Sequence, residues 1–139
     1  MRSPTVLAVL AILAAAGPAH AADCSDARNT VEMNQCADKA YAAADAELNA
    51  AYQQLLAKIA KTGGEKPYDA KSWENALRAS QRAWIAFRDA QCKGLAPMEW
   101  GGGTGATVAV LGCMTSLTRE RLAMLRSHLS EPEGPARVP

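Results

Sequence analysis

The chain has 139 residues, of which 49% are hydrophobic and 21% charged, and its formal net charge at pH 7 is +1. That length is sufficient for one domain with a modest core. The near-neutral charge excludes the basic surface that binding to nucleic acid or to acidic membranes requires, and it also excludes the strong acidity that would attract a very basic partner.

The first 21 residues have the pattern of a secretory signal peptide. One positive charge, Arg2, precedes an apolar run over residues 6–16, and residues 19–21 form the small-x-small sequence that signal peptidase cleaves. The run is much shorter than the roughly 20 apolar residues of a membrane helix. We therefore expect residues 1–21 to be removed, with no membrane span. Because Asp23, not a small residue, precedes Cys24, we expect a soluble periplasmic or secreted protein rather than a lipoprotein.

Residues 22–129 are expected to form the folded domain, and its first helix has clear start and stop signals. Asn29, with Glu32 three residues later, is typical of a capping box. Residues 62–64, Thr-Gly-Gly, end the helix near Lys61. Apolar side chains recur at helical spacing between these signals and define one buried stripe: Ala37, Tyr41, Ala44, Leu48, Tyr52, Leu55 and Ile59.

A second helix is predicted to begin at Ser72 as its N-cap, with Glu74 in the first turn. Trp73, Leu77, Trp84 and Arg88 share one face of it. For Trp84 and Arg88 there are two interpretations. In the favoured one, Trp84 lies in the core, and Arg88 packs its stem along the indole and pairs with an acid; in the other, both are exposed to a partner.

The chain is predicted to become irregular after Cys92, because Gly94, Pro97 and then four glycines within residues 101–105 disfavour regular structure. Thr107 is the expected N-cap of a third helix. Its predicted inward side chains are Leu111, Met114, Leu117, Met124, Leu125 and Leu129. Residues 130–139 are expected to be disordered.

No strand-like alternation occurs, so the predicted fold is all-α: an antiparallel helical hairpin plus a third helix. In an exported protein the four cysteines are expected to form disulfides. The predicted hairpin gathers Cys24, Cys36, Cys92 and Cys113 at one end, which leaves all three pairings possible. We favour the local pairs Cys24–Cys36 and Cys92–Cys113, each contributing about 3 kcal/mol.

The sequence argues against catalysis. Beyond the leader His128 is the only histidine, and its place near the end of the last helix is typical of a solvated residue. No zinc, haem or phosphate-binding motif is present. The acids Asp38, Asp45 and Glu47 are interpreted as a solvated helix face rather than a catalytic pair. We therefore predict a protein that is not an enzyme and needs no metal or cofactor.

Trp100 is the residue with the best claim to function, because helical periodicity does not explain a tryptophan in the segment Pro97–Gly101. There are two interpretations. In the favoured one the loop folds back and Trp100 covers the helices; in the other Trp100 is an exposed recognition residue.

Several motifs together resemble those of the lysozyme inhibitor LprI N-terminal domain family, over Asp23 to Leu129. They are Asp23-Cys24, MNQCA at 33–37, ADAELNAAY at 44–52, the stretch 77–92 ending in QRAWIAFRDAQC, and Cys113 followed by Thr118 and Arg121. The resemblance implies binding and inhibition of lysozyme. It supplies no catalytic residues.

An inhibitor of this kind would need a segment that enters the enzyme's cleft. The segment Lys93–Thr107, anchored at both ends if Cys92 pairs with Cys113, is the candidate for a lysozyme or another peptidoglycan hydrolase, with Lys93, Trp100 and Thr104 as contacts. The alternative function is a non-catalytic interaction or scaffold protein of the cell envelope with a different partner.

Overall fold

The structure, a computed structural model, describes residues 24–130, and these residues form four α-helices without a strand. The helices are α1 (Thr30–Ile59), α2 (Ala70–Asp89), α3 (Ala96–Trp100) and α4 (Ala106–Ser130). A short 3-10 turn, Cys24–Asp26, precedes α1. The prediction of an all-α fold is therefore confirmed. The predicted leader and residues 131–139 lie outside the described residues, and Ser130, expected in the tail, is the last residue of α4.

The first helix begins at the predicted capping box. The Asn29 side chain accepts a hydrogen bond from the backbone N–H of Glu32 at 3.0 Å. The Glu32 carboxylate accepts one from the backbone N–H of Arg28 at 2.7 Å. The two bonds satisfy N–H groups that have no partner within the helix. At its other end α1 finishes at Ile59, with Ala60 as C-cap, close to the predicted stop.

The second helix begins earlier than predicted, and Ser72 is not its N-cap. Asp69, in an extended conformation, is the N-cap, and its carboxylate accepts a hydrogen bond from the N–H of Ser72 at 2.9 Å. An aspartate at this position also stabilises the positive end of the helix dipole. Because α2 starts at Ala70, Glu74 falls outside the first turn.

The prediction of irregular chain directly after Cys92 is wrong as far as Trp100. A π-helical turn, Ala90–Leu95, continues α2, and α3 follows without a break. Pro97, in the first turn of α3, lies directly after the π-helical turn, where the regular α-helical hydrogen bonding is already interrupted. Gly101, with φ +81°, ends α3 in the left-handed conformation, and the glycine loop follows as predicted. The last helix begins at Ala106, so Thr107 is not its N-cap.

The three long helices pack side by side. Asp45 of α1 lies beside Arg88 of α2, and Tyr52 lies beside Arg78, so α1 and α2 run antiparallel as predicted. Lys58 of α1 reaches the last turn of α4, so α4 runs parallel to α1 and approaches it most closely. Small residues on α1 permit this approach. The core comprises Leu48, Ala51, Leu55, Ile59, Leu77, Leu122 and Leu125.

Nearly all of the predicted inward side chains are buried or half-buried, and two are exposed. Met114 and Leu125 of α4 are buried as predicted, whereas Met124 is 54% exposed. The difference follows from the helical rotation of about 100° per residue, which carries Met124 off the stripe that includes Leu125. Trp73 is also largely exposed, at the start of α2. Within residues 24–130, none of the helices combines the length and apolar composition that crossing a bilayer requires.

Candidate functional site

Two disulfides define one end of the helix bundle. Cys24 bonds to Cys36, with 5.7 Å between Cα atoms, and Cys92 bonds to Cys113, with 5.4 Å between them. The favoured local pairing is therefore confirmed. Because α1 begins where α2 ends and α4 begins, both disulfides lie at the same end, which we call the cysteine end. Cys92 is fully buried there.

The segment between α2 and α4 is a compact connection at the cysteine end that packs against α4, and we call it the elbow (residues 93–105). The Cys92–Cys113 disulfide holds its base on both sides. Helix α3 forms its first half and the glycine loop its second. Gly101, Gly102 and Gly103 have φ values of +81°, +78° and +78°, a region that side chains with a Cβ avoid. The glycines predicted to give a flexible connection therefore make a defined turn.

Large apolar side chains on the elbow are exposed. Leu95 is 47%, Met98 78% and Trp100 59% exposed. The Trp100 indole, more than half exposed, lies against Gly105 of the elbow's own glycine loop. A Cβ at Gly105 would come within 2.7 Å of the Trp100 Nε1, so glycine at 105 provides the space for the ring. The indole is thus both supported and accessible, a combination suited to recognition.

The other two predicted contact residues lie on the same elbow in different settings. Lys93, in the π-helical turn, forms an ion pair with Asp89 of α2, with 2.8 Å between Nζ and Oδ2. Thr104 is exposed in the glycine loop. Sequence reasoning overlooked Leu95 and Met98. The sequence did contain an indication of this apolar surface: three large apolar residues, Leu95, Met98 and Trp100, occur in a segment that was predicted to be an irregular connection.

A buried arginine joins the base of the elbow to α1. Arg88 is 7% exposed, and its guanidinium lies 3.0 Å from a carboxylate oxygen of Asp89 and 3.5 Å from one of Asp45. It also lies over the rings of Trp84 and Tyr41, at 5.0 and 5.7 Å from their centroids. The favoured interpretation is confirmed for Arg88, which is buried and paired with acids, whereas Trp84 is half-buried and packs against the core.

Two pKa values in this cluster are shifted, one by charge pairing and one by burial. Hydrogen bonds, first from Lys93 and then from Arg88, hold the pKa of the Asp89 carboxyl below its usual range. Burial raises the pKa of the Tyr41 hydroxyl, against the smaller opposing effect of Arg88. Asp89 therefore favours its ionised form, and this carboxylate holds Lys93 in place at the base of the elbow.

The lowered pKa of Asp89 predicts an acid-sensitive stability. An aspartate in an unfolded chain has a pKa of about 3.9. A lower folded pKa contributes stability that is present above that value and is lost as pH falls through the folded pKa. We expect the urea midpoint to fall as the pH is lowered below about 4, and to fall less in Asp89→Asn, which has no carboxylate at this position. If the urea midpoint fell equally with pH in the two proteins, this assignment to Asp89 would be contradicted.

Two of the acids that were considered as a catalytic pair take part in ion pairs. Asp45 is paired with Arg88, Glu47 with Arg126, and His128 is exposed in the last turn of α4. Over residues 24–130, no group of three or more His, Cys, Asp or Glu side chains is placed to hold a metal ion. What the described part of the chain does offer is a surface suited to binding, the elbow.

Comparison with known proteins gives two kinds of match. The sequence model of the family described as "Lysozyme inhibitor LprI" matches residues 21–125. Uncharacterized protein R02472 of Rhizobium meliloti is 40% identical over 115 residues, which are 81% of this chain and 82% of that protein. Uncharacterized protein YecT of Escherichia coli is 38% identical over 64 residues, 44% of this chain and 38% of that protein. No solved structure matches significantly.

Proposed function

Because the chain belongs to the lysozyme inhibitor LprI family, we propose that it is an exported, non-catalytic protein that binds and inhibits a lysozyme-type peptidoglycan hydrolase. The elbow enters the substrate cleft of that enzyme. Two disulfides are typical of proteins that work outside the cytoplasm, which supports export to the periplasm or the medium.

The observation that carries this proposal is the exposed apolar surface of the elbow. Leu95, Met98 and Trp100 are all exposed on this one short segment at the cysteine end of the bundle. An exposed apolar surface at the end of a bundle can enter a concave site, and enzyme clefts are concave. Tryptophan is enriched among the residues that dominate binding energy, and methionine adapts its shape to irregular surfaces.

The elbow is also held in shape before it binds. The Cys92–Cys113 disulfide fixes its base, and the Trp100 indole is seated against Gly105. A segment that is already ordered loses less conformational entropy on binding, so more of the contact energy appears as affinity. Thr104 at one end of the elbow is available to carboxylates that line a glycosidase cleft, and Lys93 at the other end can reach them by exchanging its partly exposed ion pair with Asp89.

The balanced charge of the protein indicates that long-range electrostatic attraction contributes little to binding. The chain has 15 Lys plus Arg and 14 Asp plus Glu, so long-range attraction to a charged enzyme is small. Affinity should then come from apolar contacts and slow dissociation rather than from fast association.

Substitution of the elbow residues tests the proposal. The oxidised protein without its leader should inhibit lysozyme hydrolysis of cell-wall substrate stoichiometrically. Trp100→Ala and Met98→Ala should each raise the inhibition constant by about tenfold or more, the usual effect of truncating a central contact residue. The matched control is Met124→Ala, because Met124 is similarly exposed but lies on α4, away from the elbow.

The outcomes separate the two candidate functions. Inhibition that is lost in the elbow variants but kept in Met124→Ala would support the proposal. Inhibition unchanged by Trp100→Ala and Met98→Ala would place the contact surface elsewhere. No inhibition at micromolar excess by a protein with both disulfides intact would instead favour the cell-envelope scaffold with a different partner. Circular dichroism of each variant establishes that the helices are retained.

A further inference from the structure

A groove runs between α1 and α4 on a side of the bundle that α2 does not cover. Its volume is about 700 Å³, within the range of sites that bind ligands or peptides. Its floor is formed by small or buried side chains: Ala43, Ala44, Leu122 and Ala123. Because alanines line both helices, a third helix could approach the pair closely along this groove.

The rim of the groove is positively charged. Arg119 and Arg126 line it, both from α4, and Glu47 lines it from α1. Arg126 pairs with Glu47 at 2.9 Å, but both side chains are more than half exposed, and such a pair is easily exchanged. Arg119 is exposed and forms no ion pair with any other residue of 24–130.

The spacing of the two arginines indicates what kind of segment the groove could bind. Arg119 and Arg126 are two helical turns apart, about 10 Å along the axis of α4. A second helix carries side chains on one face at the same seven-residue spacing. We propose that the groove between α1 and α4 binds an acidic helix of a partner protein, with carboxylates seven positions apart that pair with Arg119 and Arg126. The bound helix would complete a four-helix bundle.

This surface is distinct from the elbow. The groove lies beside the second half of α4, from Arg119 to Ser130, whereas the elbow precedes the start of α4. The protein would then have two binding surfaces, and one molecule could contact a hydrolase and an acidic partner together. The proposal does not depend on lysozyme inhibition, and substitutions at one surface should leave binding at the other unchanged.

A charge-swap experiment tests the proposal. The probe is a fluorescein-labelled, alanine-rich helical peptide with two glutamates seven positions apart, and its control has lysines there. We expect fluorescence anisotropy to show saturable micromolar binding of the glutamate peptide only. Arg119→Glu should weaken that binding at least tenfold and should allow the lysine peptide to bind. Arg82→Glu is the matched control, because Arg82 is exposed on α2, outside the groove.

Several results would overturn the proposal. One is that the unaltered protein binds the glutamate and lysine peptides equally well. A second is that Arg119→Glu binds the glutamate peptide as tightly as the unaltered protein does. Another is the absence of binding by the full chain and by a chain ending at Ser130. A tenfold gain in affinity when residues 131–139 are removed would assign the groove to the chain's own terminus, which contains Glu131 and Glu133, rather than to a partner.

Discussion

Replacing Cys92 and Cys113 together with alanine is expected to lower the free energy of unfolding by about 3 kcal/mol. The bond joins residues 21 positions apart, so its loss frees that length of unfolded chain. For a domain of this size, whose total stability is about 5–15 kcal/mol, the loss is a large fraction. Because Cys92 is fully buried, the substitution also removes packing at the base of the elbow.

Urea unfolding followed by circular dichroism measures this effect, and the other disulfide provides the comparison. Cys24–Cys36 closes a shorter loop of 12 positions, and Cys24 is exposed, so the pair Cys24→Ala and Cys36→Ala should cost less. Lysozyme inhibition should weaken with the Cys92 and Cys113 substitutions and persist without Cys24 and Cys36. A larger stability loss from the Cys24–Cys36 pair would contradict our account of the cysteine end.

Arg88→Met is expected to lower the free energy of unfolding by about 2–3 kcal/mol, less than the 3–5 kcal/mol typical of a broken buried ion pair, because the two carboxylates keep some contact with water. The guanidinium is almost fully buried, whereas Asp45 and Asp89 are 37% and 35% exposed. Methionine keeps the apolar stem against Trp84 but leaves both acids without their shared cation.

The matched control for this substitution is Arg126→Met, which breaks an ion pair with Glu47 in which both side chains are more than half exposed. Such surface pairs contribute about 0–1 kcal/mol. Arg88→Lys should recover only part of the loss, since an ammonium group cannot contact both carboxylates and both rings as a planar guanidinium does. Similar losses for Arg88→Met and Arg126→Met would show that burial does not strengthen the Arg88 cluster.

The Arg88 cluster also connects the core to the candidate site. Asp89 binds Arg88 on one side and Lys93 of the elbow on the other. Arg88→Met therefore removes one of the two cations that hold the Asp89 carboxylate in place. We infer that part of the elbow's fixed position derives from this cluster, in addition to the disulfide.

Much of the fold could be predicted from local sequence signals. The capping box at Asn29 and the apolar stripe from Ala37 to Ile59 predicted α1 to within two residues, because caps and periodicity act within a few residues of the chain. The start of α2 was predicted less well. Asp69 and Ser72 are both good N-cap residues, and local preference alone does not decide between two such residues three positions apart.

The candidate site was predicted only in outline. The sequence indicated the segment after Cys92 and singled out Trp100, but its glycines and Pro97 suggested an irregular loop. Helix α3 forms there because the chain continues from α2 and Pro97 falls in a first turn. The exposure of Leu95 and Met98 has no local signature, since the same residues would be core if another helix covered them.

By itself the sequence determined the helical class and the helix faces, and its motifs indicated the family. Spacing, caps and glycine positions encode these features locally. Only the tertiary structure decided which cysteines pair, since all four lie at one end and several pairings were compatible with the predicted hairpin. It also decided that α4 packs most closely on α1, which exposes the elbow and opens the groove beside Arg119. Both surfaces depend on how distant segments pack, and no short stretch of sequence contains that information.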